Sequence, residues 1–189
     1  MSISDRLWVE PGTFTMGSPS SETGRDTDEV EHNVTLTNGF YLGKYEVTPA
    51  QWLTVMGTSP SQFSGNNRPV ELVNWTEATA FCATLTQMER DAGRLPPGWA
   101  YVLPTEAQWE YACRAGSNGP YTGTKDGQLK QAAAYLETLD KLGWFVNNST
   151  STQPVGKKMP NSFGLHDMHG NVWEWCLDHA TQNKGRMLE

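Results

Sequence analysis

The sequence is poor in charge, in cysteine and in long apolar runs, and each shortage excludes a class of protein. Only 19% of the 189 residues are charged, against about 25% in an average globular protein. The three cysteines are an odd number, widely spaced and without a CxxC motif, so neither a disulfide framework nor a zinc knuckle is expected. No stretch approaches the roughly 18 consecutive apolar residues of a membrane span.

Basic residues are scarce as well. The chain carries 14 Lys and Arg against 21 Asp and Glu, a formal charge of −7, and its cations do not cluster. Nucleic acid and anionic membrane surfaces repel such a chain, so we expect neither as a partner. The first residues, MSISDRLWVEPG, lack the basic start and apolar run of a signal peptide. These features predict a cytoplasmic protein.

Glycine, proline and tryptophan are abundant, with 18, 11 and 8 residues. This composition favours ordered but irregular backbone pinned by aromatic packing over a long helical bundle. Strand-like segments at 7–9, 14–17, 34–36 and 40–47 precede the helical ones, and the first two predict a short hairpin around Pro11-Gly12. No linker or repeat divides the chain. We therefore predict one α+β domain over residues 1–189 rather than a parallel βαβ sheet.

Three capping boxes predict short helices, because a side-chain oxygen and the residue three positions later satisfy the free amides of a first turn. The paired residues are Thr48 and Gln51, Asn74 and Glu77, and Thr105 and Gln108. Gly57, Gly93 and Gly116 are predicted to end these helices. A fourth helix is predicted over residues 132–142, and a remnant of a strand over residues 144–146.

The apolar spacing within these helices predicts what they bury. Residues 78, 81, 82, 85 and 88 share one face of the second helix, which would place Met88 in the core with Phe81 and Leu85. Trp52, Trp75 and Trp109 lie at helix starts or on apolar faces, so most tryptophans are expected in the core. Cys82 and Cys113 lie on apolar faces too, where cysteine packs as a small hydrophobe.

The segment Asp167-x-x-Gly170-x-Val172-x-Glu174 is the first candidate for chemistry. Its two carboxylates, separated by a glycine, allow backbone carbonyls to turn toward a common centre. A hard cation such as Ca²⁺ binds six to eight oxygens of this kind. The spacing alone leaves a second interpretation open, a turn capped by Asp167 without any metal.

A second candidate is His166-x-x-His169, with Cys176 nearby, which has donor types that zinc or copper accept. The motif lacks a further histidine or carboxylate at a set spacing, so surface or structural histidines are the interpretation we favour. No phosphate-binding loop, GxSxG elbow or HExxH motif occurs. The residues alone therefore indicate no catalytic constellation.

Several long motifs in order nevertheless resemble one known family. They are residues 16–18 (MGS), 40–52 (FYLGKYEVTPAQW), 69–75 (PVELVNW), 103–116 (LPTEAQWEYACRAG) and 161–176 (NSFGLHDMHGNVWEWC). Together they are similar to the formylglycine-generating enzymes, or sulfatase-modifying factor domains, over about residues 9–178. The resemblance implies a C-type-lectin-like fold with short helices, a small antiparallel sheet and much irregular structure.

The resemblance also implies a structural calcium site at the last motif. The ligands carried over are Asp167, Gly170, Val172 and Glu174, with Gly170 and Val172 binding through backbone carbonyls. A second family calcium site lies near residues 134–145, where this sequence departs from the family, so no ligand is assigned there.

Activity is a separate question. Catalytic family members oxidise a cysteine of a client sulfatase with O₂ and a copper ion held by two cysteines near the C-terminal end of the family domain. Residues 181–189 (TQNKGRMLE) do not match that part of the family. Cys82, Cys113 and Cys176 do not align with that pair, and the helical domain of iron-dependent relatives is missing too. We therefore expect no catalytic residue here. The chain is expected to be a calcium-stabilised binding or scaffold module, or a purely structural domain.

The alternative is a copper-dependent oxidase whose catalytic segment is missing from this chain or supplied by a partner. The expected partner is a protein or peptide client. A homo-oligomer is a further expectation, because lost closing strands would leave a sheet edge unpaired.

Overall fold

The structure, a computed structural model, describes residues 5–22, 25–124 and 132–178. Its elements follow one another as strands first and helices afterwards. In chain order they are β1 (Arg6–Val9), β2 (Gly12–Met16), β3 (His32–Leu36), β4 (Phe40–Gly43), α1 (Pro49–Met56), α2 (Trp75–Asp91), α3 (Glu106–Arg114) and α4 (Ala132–Leu142). This order confirms the α+β class.

The four strands form two antiparallel pairs, and the predicted hairpin between residues 7–9 and 14–17 is wrong. β1 pairs with β4 and β2 pairs with β3, with Val9 opposite Phe40 and Gly12 opposite Leu36. The two ladders therefore continue each other along one ribbon, interrupted at residues 10–11 and 37–39. Pro11 lacks a backbone N–H for a ladder, so the chain bends there instead of reversing.

The three predicted capping boxes are present. In each, the side chain of Thr48, Asn74 or Thr105 accepts from the N3 amide, and the N3 side chain accepts from the cap amide. Gly57 ends α1 in the left-handed conformation, as predicted. Gly93 follows the Ala92 cap of α2 and is left-handed with a φ of 68°, so it ends α2 as predicted. In α3, Ala115 rather than Gly116 is the left-handed cap.

Apolar side chains pack in separate clusters. Trp52, Val55, Phe81 and Leu85 join α1 to α2, with Cys82 partly buried against them. Ala112, Cys113, Leu165 and Met168 join α3 to the segment that follows α4. The prediction that Met88 is buried is wrong, since it is 37% exposed at the end of α2.

The expectation that most tryptophans lie in the core is also wrong. Trp52 is buried, but four tryptophans are at least 40% exposed: Trp8, Trp99, Trp173 and Trp175. Trp75 and Trp109 are half-buried. Spacing in the sequence identifies apolar helix faces, but these four residues lie on β1 or in irregular segments, where no helical period applies.

The chain after α4 has no helix or strand within residues 143–178. The predicted strand at residues 144–146 is wrong, because these residues lead into a turn in which the Asn148 amide donates to the Phe145 carbonyl at 3.0 Å. We call residues 143–178 the closing segment. Among the described residues, no helix is both long and apolar enough to cross a bilayer.

Candidate functional site

The loop that carries the predicted metal ligands is held in an uncommon backbone conformation. Asp167 and Asn171 have φ angles of 61° and 69°, and Gly170 has a φ of 134°. A Cβ atom on Gly170 would lie 2.2 Å from the carbonyl oxygen of Trp144, and one on Gly143 would lie 1.8 Å from the carbonyl oxygen of His169. Two stretches of backbone therefore touch here, which only glycine permits.

Asp167 points into the protein from this loop. The residue is 2% exposed, and its Oδ2 accepts a 2.6 Å hydrogen bond from the Gly156 amide. Its Oδ1 is buried without a hydrogen-bond partner. Burial raises the pKa of Asp167, although the Gly156 amide and the charge of His166 oppose the shift. A buried carboxylate oxygen without a donor is costly, so this atom fits a cation ligand.

Glu46, in the middle of the β4–α1 connection, holds the other side of the loop. Its Oε2 accepts from Asn171 Nδ2 at 2.7 Å and its Oε1 from the Val172 amide at 3.3 Å. Asn171 Nδ2 also donates to the Gln153 carbonyl at 3.1 Å. Glu46 is 8% exposed. The N-terminal half of the chain is thereby tied to the predicted metal loop.

Glu174 completes a group of three acidic side chains. The residue is exposed to water, but the protein atoms around its carboxyl group raise the pKa of Glu174 to about 7 by desolvation. The charge of Asp167 adds to the increase. The Trp109 indole opposes it, although its buried Nε1 makes no hydrogen bond of regular geometry.

Mutual repulsion is a shared feature of these carboxylates. Burial is the main cause that raises the pKa of Glu46 well above its usual value, and the charges of Glu174 and Asp167 are the next two. Negative charge therefore predominates around Glu46 and Glu174, and the charge of His166 opposes it at Asp167. A bound divalent cation would reverse that balance.

The predicted ligand set combines side-chain and backbone oxygens. Among the described residues, no three His, Cys, Asp or Glu side chains are grouped so that they could hold a metal ion. The set predicted from the sequence has two carboxylates, Asp167 and Glu174, and two carbonyls. Of these, the Gly170 carbonyl accepts from the Val172 amide at 3.0 Å, and a carbonyl has a second lone pair for a metal.

The two histidines of the HxxH motif are engaged separately, as the structural interpretation predicts. His166 Nδ1 lies 3.0 Å from the Lys158 carbonyl, and its ring is tilted by 32° against the Tyr45 ring, with centroids 5.0 Å apart. His169 Nε2 accepts from the Thr122 amide at 3.1 Å, and burial lowers the pKa of His169 to about 4. His169 is therefore neutral at physiological pH.

The region of the second family calcium site contains an ammonium group instead. Lys158 Nζ lies 3.5 Å from Asp140 Oδ1 and 4.0 Å from the centroid of the Trp144 ring. Asp140 Oδ1 also accepts from Asn148 Nδ2 at 2.9 Å. The acidic group of this region thus already has a positive partner within the chain.

Sequence reasoning missed Glu46 and Asn171, which hold the loop. Glu46 falls within a strand-like run, and Asn171 lies between two candidate ligands without a role of its own in the motif. A signal for Glu46 does exist, because an acidic residue between Tyr45 and Val47 interrupts an apolar pattern. Its partner lies more than 120 positions away, so no local pattern identifies it.

Comparison with known proteins agrees with this architecture. The chaperone protein LppX of Paenibacillus barcinonensis is 34% identical over 92% of this chain and 71% of its own length. The formylglycine-generating enzyme of Mus musculus is 26% identical over 96% of this chain, which spans 60% of that enzyme. The structure of PvdO from Pseudomonas aeruginosa superposes with a TM-score of 0.71 and 27% identity, covering 92% of this chain and 70% of that one.

The solved structure confirms the formylglycine-generating-enzyme-like fold that the motifs imply. The sulfatase-modifying factor enzyme 1-like domain matches residues 1–188, which is nearly the whole chain. The match includes both the capped helices and the loop around Asp167. The chain therefore belongs to the family of sulfatase-modifying factor enzyme 1-like domains.

Proposed function

We propose that this domain binds protein clients without oxidising them, and that calcium stabilises its closing segment. The observation that carries the proposal is the placement of the three cysteines, which are all free. A copper–thiolate oxidase centre needs two thiolates within bonding distance of one ion. Cys82 packs in the Trp52 cluster, Cys113 belongs to the Leu165 cluster, and the Cys176 carbonyl accepts from the indole of Trp75.

The chemistry of the three thiols supports the same conclusion. Burial raises the pKa of Cys82 to about 11 and that of Cys176 to about 12. Cys113 is 5% exposed, and its Sγ lies 3.4 Å from the Met168 carbonyl, to which it donates. Burial raises its pKa as well. Reactive cysteines have lowered pKa values, so these thiols have the properties of core residues.

Client binding is supported by the relatives. LppX is named as a chaperone protein, and a chaperone binds other polypeptides. The formylglycine-generating enzymes of the same family modify a client protein. A domain that retains the family fold while its cysteines serve as core residues is suited to the binding part of such a role.

The client proposal is tested with reduced, carboxymethylated α-lactalbumin, a protein that stays unfolded in buffer. We expect saturable binding by isothermal titration calorimetry, and none with the folded, unmodified protein. Equal heats with both forms, or none with either, would contradict client binding.

The oxidase alternative is tested by titration with Cu(I), followed by alkylation of the remaining thiols. We expect no stoichiometric complex, and we expect the alkylation rate of Cys82 to rise about tenfold per pH unit up to its pKa of about 11. Tight binding of one Cu(I) with protection of two cysteines would instead establish the oxidase.

The calcium proposal rests on the unpartnered Asp167 Oδ1 and on its acidic neighbours. Asp167, Glu174 and the carbonyls of Gly170 and Val172 would hold the ion, which would neutralise the loop. Because a ligand that binds only the native state stabilises it, saturating calcium at about 1,000 times its Kd adds about 4 kcal/mol. Calcium should raise the melting temperature, and excess chelator should lower it.

Asp167→Asn is expected to abolish the calcium-dependent shift. Asp140→Asn is the matched control, since it removes a carboxylate from the Lys158 region and should leave the shift intact. A melting temperature that chelator does not change would eliminate the site at Asp167. Loss of the shift in Asp140→Asn alone would move the site to the second region.

A further inference from the structure

One exposed surface combines aromatic rings from three separate parts of the chain. Trp8 on β1 lies directly opposite Tyr41 on β4 in the ladder, with ring centroids 5.0 Å apart. The ring of Trp99, from the connection after α2, lies 5.7 Å from that of Tyr41. The three residues are 42%, 50% and 42% exposed. They form a continuous row of rings open to solvent.

Guanidinium groups lie along this row. Arg6, two residues before Trp8 and hence on the same face of β1, lies 5.6 Å from the Tyr41 ring and 5.3 Å from that of Tyr101. Arg6 also donates to the hydroxyl of Tyr101. Arg90, in the last turn of α2, donates to the Trp99 carbonyl at 3.3 Å. We call Arg6, Trp8, Tyr41, Arg90, Trp99 and Tyr101 the aromatic–arginine surface.

The charge of this surface is opposite to that of the whole chain. Within the described residues, Arg6 and Arg90 form no ion pair, whereas the nearby Glu89 pairs with Arg94 at 2.6 Å. Hydrogen bonding from Arg94, with a smaller contribution from the charge of Arg6, holds the pKa of Glu89 below its usual value. The surface therefore has an excess of positive charge on a chain with a net charge of −7.

Asp91, which follows Arg90 in the sequence, does not offset this excess, and Glu10, two residues after Trp8, lies beyond the end of β1. Asp91 lies about 100° around α2 from Arg90, where its Oδ1 accepts from Gln87 Nε2 at 2.6 Å. The two guanidinium groups thus keep their positive charge beside the exposed rings.

We propose that the aromatic–arginine surface binds an extended acidic segment of a polypeptide that also carries apolar side chains. Tryptophan, tyrosine and arginine are the residues that contribute most to binding at protein interfaces. Half-exposed rings provide rigid apolar contact area, and the guanidinium groups select carboxylates. The inference rests on the proposed client function and assigns the client's contact surface and its charge.

The test uses fluorescein-labelled peptides about ten residues long in which leucine alternates with glutamate, glutamine or lysine. Fluorescence anisotropy should show binding of the glutamate peptide, weaker binding of the glutamine peptide and none of the lysine peptide. Affinity should fall as NaCl rises from about 0.05 to about 0.5 M, because salt screens exposed charges. Equal affinity for the glutamate and lysine peptides would overturn the proposal.

Variants locate the binding. Trp99→Ala should weaken binding about tenfold and Trp99→Phe much less, and Arg90→Gln should weaken it about threefold while flattening the salt dependence. Phe63→Ala and Lys141→Gln are matched controls that remove an exposed ring or a charge outside the surface, and they should bind as the parent does. If Trp99→Ala does not melt cooperatively, the test rests on Arg90→Gln. An affinity of Arg90→Gln for the glutamate peptide equal to that of the parent overturns the proposal.

Other occupants give different results. Competition by maltohexaose would identify a carbohydrate surface, and self-association in sedimentation that Trp99→Ala abolishes would identify a second copy of this chain. Either result overturns the proposal. If parent and Trp99→Ala bind carboxymethylated α-lactalbumin equally, the surface assignment fails while client binding stands. If the glutamate peptide binds the parent but not Trp99→Ala, while carboxymethylated α-lactalbumin binds neither, client binding fails and the surface assignment stands.

Discussion

The α1–α2 layer and the closing segment of the same chain are held together by different forces. In the first, Trp52 stacks on Phe81 with ring centroids 5.0 Å apart, and capping boxes begin both helices. The described residues of the closing segment form no helix or strand. There, side-chain amides and carboxylates make hydrogen bonds to the backbone instead. Apolar burial dominates in the first region, whereas in the closing segment buried polar groups add to the packing of Leu165 and Met168 against α3.

Asn161 illustrates the second kind of stabilisation. Its Nδ2 donates to the Ala112 carbonyl at 2.7 Å, and its Oδ1 accepts from the amides of Phe163 at 3.0 Å and Leu165 at 3.1 Å. One buried amide thus satisfies backbone groups that a strand ladder would otherwise satisfy. The stability of the closing segment therefore depends on the identity of a few polar atoms, whereas that of the helical layer depends on the volume of its buried apolar side chains.

The largest expected effect is that of Gly143→Ala. The added Cβ would overlap the His169 carbonyl at 1.8 Å, so two backbone stretches must separate and the closing segment must detach. We expect a loss of about 4 kcal/mol or more in the free energy of unfolding, measured by urea denaturation.

Gly57→Ala is the control for this change. Gly57 has a φ of +70°, and a methyl group added to its Cα would meet nothing within 4 Å, so only backbone strain of about 1 kcal/mol is added. If the two variants were equally stable, contact between residues 143 and 169 would not hold the closing segment.

The second comparison replaces one buried residue in each region by leucine. Asn161→Leu should cost about 3 kcal/mol, because it leaves buried amides and a carbonyl without partners. Phe81→Leu should cost about 1.5 kcal/mol, because an apolar replacement of similar volume is tolerated. Thermal melts of both variants measure the difference, and a larger loss for Phe81→Leu would show that apolar burial controls both regions.

A smaller effect is expected from the helix caps. Thr48→Ala and Thr105→Ala each remove the side-chain acceptor of an N3 amide, which costs about 1 kcal/mol. Thr48→Ser and Thr105→Ser keep the hydroxyl and should be nearly as stable as the parent. Equal losses for the alanine and serine variants would mean that the methyl group, not the cap, matters.

The smallest effect is expected at Met88. Because this side chain is 37% exposed, Met88→Ala should change the free energy of unfolding by no more than about 0.5 kcal/mol. Leu85→Ala, one turn earlier and 4% exposed, should cost about 2 to 5 kcal/mol. Similar losses at both positions would restore the predicted burial of Met88.

The sequence predicted local features better than pairings. The caps at Thr48, Asn74 and Thr105 were predictable, because a cap and its partner lie within one helical turn. The bounds of α4 also agree with the predicted residues 132–142. The hairpin was not, since strand propensity does not say which strand is the neighbour. Likewise Asp167 was a candidate from its spacing, but its unpartnered Oδ1 depends on burial by residues far along the chain.

By itself, the amino-acid sequence determined where the helices begin, which family motifs occur and which residues are candidate calcium ligands. These features depend on neighbours a few positions apart. Only the tertiary structure decided that β1 pairs with β4, that Glu46 holds Asn171, and that Trp8, Tyr41 and Trp99 form one surface. The physical reason is that such contacts join residues tens of positions apart, whose approach depends on how the whole chain packs.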